Sequence, residues 1–107
     1  MKLTAYEHKM ELRAWGIIKN SSIPLVTMRW FTVRQTGTHV LVAAIPASTS
    51  DSDVTSLMEN IQKAFRKVDV RRGEARSREN PEVKYTAIQM QVREPLMINV
   101  QCNVEGA

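Results

Sequence analysis

Residues 3–22, LTAYEHKMELRAWGIIKNSS, fit two periods at once, and the one they follow sets the number of helices in the fold. As a strand, His8, Met10, Leu12 and Ala14 alternate with Lys9, Glu11 and Arg13; as a helix, Leu3, Tyr6, Met10, Ala14 and Ile17 share one stripe. Good helix formers run from Glu7 to Ala14, and Asn20, Ser21 and Ser22 before Pro24 make a stop, so the helical reading of residues 4–19 is preferred. Gly16 opposes it by up to about 1 kcal/mol relative to Ala.

A second stretch, SDSDVTSLMENIQKAFRKV (residues 50–68), has one period only. Val54, Leu57, Met58, Ile61, Ala64, Phe65 and Val68 recur at helical spacing and define one apolar face. Ser50 supplies an N-cap with Asp53 three positions on, while Lys63, Arg66 and Lys67 gather at the far end, so both termini suit the helix dipole. A helix over residues 51–68 is expected, with Leu57, Met58, Ile61 and Phe65 buried. Gln62 falls on the outer side, where replacement should matter little.

Between these segments, VTMRWFTVRQTGTHVLVAAI (residues 26–45) reads as a hairpin turning near Gln35, Thr36 and Gly37, with both arms placed centrally in the sheet. Val40 to Ile45 is apolar on both faces, which puts that arm inside the sheet, and Pro46 closes it. At the far end, IQMQVREPLMINVQCNV (residues 88–104) reads as another hairpin with Arg93, Glu94 and Pro95 as its loop. Pairing Val92 with Leu96 sets Gln89 opposite Asn99 and gathers Gln89, Gln91, Asn99, Gln101 and Asn103 on one neutral face. Val83, Tyr85 and Ala87 break the phase of the first arm, which suggests a bulge or a second packing partner, and Val68 to Arg72 can extend from the second helix as a further strand.

The resulting order is helix, strand, strand, helix, strand, strand. Two such units side by side make an α+β two-layer sandwich, an antiparallel sheet with one or two helices on one face. In element order alone this resembles a permuted ferredoxin-like arrangement, a resemblance that implies no activity and no site residues. A chain of 107 residues is expected to form a single domain, residues 1–107, with a core that needs no disulfide or metal.

Composition narrows the setting. The chain is 43% apolar and 24% charged, in the range of globular domains. Its longest apolar run, Val40 to Ile45, is far below the roughly 20 residues of a membrane span, and the N-terminus lacks a charged-then-apolar leader pattern, so a cytoplasmic location without membrane attachment is expected. Cys102 is the only cysteine and is expected to pack in the core.

Charge is uneven. Residues 63–78 carry seven basic side chains, Lys63, Arg66, Lys67, Arg71, Arg72, Arg76 and Arg78, against Asp69 and Glu74, a local balance of 7 minus 2, or +5, which leaves the rest of the chain about neutral. Guanidinium groups suit phosphate, and this segment is the candidate nucleic-acid contact, although a helix end and a solvated loop are the preferred account of it. No RNP-like, zinc-finger or helix-turn-helix pattern accompanies it, which limits such binding to a non-specific or shape-reading kind.

Catalytic patterns are lacking. His8 and His39 have no Cys, Asp or Glu at ligand spacing, Asp51 and Asp53 suit a helix start, and the four glycines are scattered, so no enzyme activity, cofactor or metal is expected. The uncharged amides of the C-terminal segment make a surface that water tolerates and a partner can cover without desolvating a charge. The favoured function is a non-catalytic protein-interaction or assembly module, self-associating through that neutral face or an edge strand, accessory to a larger complex or a mobile element. Met28, Trp30 and Trp15 offer further apolar anchors for such a contact, with core packing the more frequent role of such residues. The alternative is a nucleic-acid-binding accessory protein acting through residues 63–78.

Overall fold

A computed structural model describes residues 1–93. The ambiguous segment is a helix, α1 (Ala5–Asn20), and it begins at a capping box. Thr4 Oγ1 accepts from the Glu7 N–H at 3.1 Å while Glu7 Oε1 accepts from the Thr4 N–H at 2.8 Å, satisfying two donors that a helix start leaves orphaned. Its buried stripe is Glu7, Met10, Ala14 and Ile18, rotated from the expected one so that Tyr6 is exposed.

After α1 come β1 (Thr27–Thr32) and β2 (His39–Pro46), an antiparallel pair whose connection carries Gly37 at a φ of 73°, a left-handed conformation that glycine adopts without strain. The second helix, α2 (Asp51–Ala64), starts where the sequence places it, with Ser50 Oγ accepting from the Asp53 N–H at 3.2 Å. It ends four residues before the expected Val68. Phe65 turns extended, and Val68 opens β3 (Val68–Arg76), whose backbone groups pair with β4 (Lys84–Val92) instead of continuing the helix. Phe65 and Val68 still reach the core, from a turn and a strand. Gln62 holds this turn: its Nε2 donates to the Val68 carbonyl at 2.7 Å, so the side chain expected to matter little joins α2 to β3.

The sheet runs β1-β2-β4-β3 with every neighbouring pair antiparallel, and both helices pack on one side of it, the α+β two-layer arrangement. β4 is paired along both edges, with β2 and with β3. Two expectations fail here. β1 is an edge strand, while β2 is central. Both ladders of β4 are continuous from Tyr85 to Gln91, without the bulge suggested near Tyr85. The strand 96–104, including Cys102, lies outside the described residues.

Cross-strand partners share a face, so the register assigns every side chain. Met28 and Trp30, Leu41, Ala43 and Ile45, Ile88 and Met90, and Val68 and Val70 face the helices and meet Met10, Ala14, Ile18, Val54, Leu57, Ile61 and Phe65 in one core. Among the described residues no helix is long and apolar enough to cross a membrane.

Two substitutions test this packing in urea denaturation. Ile61→Ala, at a site with no exposure, should cost about 2–5 kcal/mol. Gly16→Ala, where an added Cβ meets open space within α1, should instead raise stability by about 0.5–1 kcal/mol.

Candidate functional site

The side of the sheet away from the helices is uncovered by any described element. Its middle is apolar and small: Val40, Val42 and Ala44 of β2 lie beside Ala87 of β4, with Ala75 and Gly73 on β3. Gln89 and Gln91 continue along β4 on this same side, and both are half-buried. A Cβ at Gly73 would sit 2.9 Å from Gln89 Nε2, so glycine there leaves room for the Gln89 amide to lie along the sheet. Of the five amides expected to share a face, these two are on the helix-free face; Asn99, Gln101 and Asn103 lie outside the described residues.

Polar and aromatic groups rim that centre. Phe31 and Arg29 stand on β1, Tyr85 on β4, and Asp69 and Arg71 on β3, with Arg93 reaching Asp69 Oδ1 at 3.0 Å. A concavity of about 540 Å³ brings Arg29, Phe31, Arg76, Arg78 and Tyr85 together. Phe31 and Arg29 are distant in sequence from the basic segment, and only strand pairing makes them its neighbours.

The seven basic residues do not form one patch. Lys63, Arg66 and Lys67 lie at the α2 end, where Arg66 and Lys67 face Lys9 and Arg13 of α1 across a cleft of about 770 Å³ that also contacts Met10, Phe65 and Val92. Arg71, Arg72 and Arg76 belong to β3, not to the solvated loop the sequence suggests. Arg71 points to the helix-free face, while Arg72 points to the helix side and pairs with Asp51 at 3.0 Å. Arg76 lies 3.7 Å from Glu74 and donates to the Pro81 carbonyl, and Arg78 follows in the β3–β4 connection. A nine-residue strand spans about 30 Å, so the two ends of the cluster are far apart.

Among the described residues no three His, Cys, Asp or Glu side chains converge on a metal-sized site. His39 has a partner: its Nδ1 lies 3.0 Å from Glu7 Oε2, linking the start of α1 to the start of β2. Burial alone would raise the Glu7 pKa, yet the Thr4 N–H, the hydrogen bond from His39 and its charge outweigh that, and the carboxyl sits below its ordinary value. This clamp was missed in the sequence, although Thr4 and Glu7 stand at capping-box spacing. Trp30 makes a second such tie, its indole N–H donating to Glu11 Oε1 at 2.9 Å.

No family model, curated protein or solved structure matches this chain.

A carboxyl with a depressed pKa stabilises the fold above its unfolded pKa and loses that contribution as the pH falls through its folded pKa. Wild-type stability should therefore drop as the pH falls below the ordinary glutamate range, and Glu7→Gln should be less stable near neutrality with a shallower acid limb. Urea midpoints of both proteins across that range decide it; parallel curves would remove Glu7 as a source of the acid sensitivity.

Proposed function

We propose that this chain is a non-catalytic protein-interaction module that assembles with itself, using surfaces its two-layer fold leaves uncovered. The observation that carries this reading is the helix-free face. β2 and β4 place half-buried Val40 and Val42 and buried Ala44 and Ala87 at its centre, beside uncharged Gln89 and Gln91, and no described element lies over them. Such a face resembles the interior of an interface, apolar in the middle with amides able to donate and accept across it, and it holds no charge at its centre that contact would strip of water. Self-association is the economical form, because one surface serves both partners. In this reading the chain is an accessory subunit whose output is the assembly it joins.

Nucleic-acid binding is the second reading, supported by the concavity that sets Arg29, Arg76 and Arg78 beside Phe31 and Tyr85. Guanidinium groups next to exposed rings can hold phosphates while bases stack. The dispersal of the remaining cations along β3, and the ion pairs of Arg72 and Arg76, favour the first reading.

Sedimentation or light scattering over a range of concentrations tests self-association. The expected mass is a multiple of the 12.2 kDa chain, and a mass that stays at 12.2 kDa at the highest concentration rejects it. For the second reading, retention on heparin should fall steeply with salt and vanish when Arg29, Arg76 and Arg78 are replaced by Gln. No retention at low salt ends that reading.

A further inference from the structure

The two edges of the sheet are unequally protected. β3 carries Arg71, Arg72, Glu74 and Arg76 along its outer edge, charges of the kind that deter strand addition. β1, TMRWFT, has Arg29 as its single charge, contains no proline, and is regularly paired with β2. The Val33 N–H donates to the Thr38 carbonyl at 2.8 Å, so by alternation the odd-numbered residues within β1 turn their backbone groups to β2, as does Val26 just before the strand, whose N–H donates to the Ala44 carbonyl at 2.8 Å. Met28, Trp30 and Thr32 then direct N–H and C=O outward, where no described element receives them.

Beside this edge the helix layer is unusually apolar. Leu12 is 73% exposed, Trp15 50% and Val26 42%, and all three border one cleft of about 560 Å³ with Leu25 and Met28. Leu12 and Trp15 lie on the flank of α1 that overhangs β1. Glu11 meets Trp30, while Trp15 and Lys19 share the cleft with residues 25–28, so α1 runs antiparallel to β1 directly above it. Lys19 Nζ sits 5.6 Å from the Trp15 ring centre.

We propose that β1 pairs antiparallel with β1 of a second copy, the two α1 helices meeting through Leu12 and Trp15 above the joined strands. This rests on the self-association reading and adds to the helix-free face a second surface, the β1 edge with the flank of α1. A two-fold axis perpendicular to the sheet keeps both helix layers on one side, and the product is one eight-stranded sheet with a continuous helix-free face. Charge identifies the occupant as another copy. Glu11 and Lys19 stand four residues to either side of Trp15, so an axis beside Trp15 and Met28 sets Glu11 of each copy against Lys19 of the other. Across the strands the same axis brings Arg29 opposite Thr27 of the second copy and not opposite its own counterpart.

The test is a charge exchange read by sedimentation of the full chain, with circular dichroism confirming the fold of each variant. Wild type should sediment as a dimer. Leu12→Lys, which changes an exposed side chain, should weaken dimerisation by about tenfold or more. Glu11→Lys and Lys19→Glu should each weaken it as well, and the double variant should recover most of the loss, which no purely structural role of Glu11 beneath Trp30 would produce. Val40→Glu tests the helix-free face in the same assay. A dimer that is indifferent to Leu12→Lys, or a double variant no better than either single one, overturns this arrangement while self-association stands. A dimer lost only with Val40→Glu overturns it in favour of the sheet face, and a monomeric wild type overturns both readings.

Discussion

The ladder between β2 and β4 holds this fold together. It joins the two helix–strand–strand halves through seven consecutive residue pairs, from Val40 with Gln91 to Pro46 with Tyr85. Without it each half would be a two-stranded hairpin under one helix, too small to exclude water from its apolar side. With it, Leu41, Ala43 and Ile45 lie beside Met90, Ile88 and Thr86 to make the floor on which both helices rest. Placing β4 between β2 and β3 also uses both of its edges, and that leaves β1 and β3 as the borders of the sheet.

Two secondary ties position the helices on that floor. Glu7 caps α1 and reaches His39 at the start of β2, so one carboxylate both begins the helix and fixes where it crosses the sheet. Gln62 performs a similar service for α2, joining its last turn to the first residue of β3. Both are polar contacts at the margin of an apolar core, where a hydrogen bond adds direction that hydrophobic contact by itself does not supply. With α1 held over β1 and β2, Leu12 and Trp15 are carried to the sheet border, and the concentration of exposed apolar groups near β1 is a consequence of this placement.

A two-layer sandwich of four strands and two helices has an inherent asymmetry. Among the described residues one face of the sheet is covered by helices and the other by no element, and in this chain that second face is apolar at its centre with Gln89 and Gln91 beside it. Val40 to Ile45 is apolar on both sides, and only one of them packs under the helices. The charges of β3 separate in the same way, Arg72 to the helix side and Arg71 to the other, because strand geometry sends neighbours to opposite faces.

Much of the fold is legible in the local pattern. The start of α2 at Ser50, its buried face through Val54, Leu57 and Ile61, the β1–β2 hairpin, and the inner phase of Ile88, Met90 and Val92 all follow from periodicity and capping, which depend on residues close in sequence. Even the disputed α1 carried its signal in the spacing of Thr4 and Glu7. Strand partners are different, because they are chosen among segments far apart in the chain. β3 gives β4 nine paired residues and β2 gives it seven, pairings that no local pattern specifies. The early end of α2, the edge position of β1 and the division of the basic residues between two faces all descend from that choice. Local sequence therefore determined the elements and their inward sides, while competition for the edges of β4, settled by how much core each pairing covers, decided which surfaces remain for a partner.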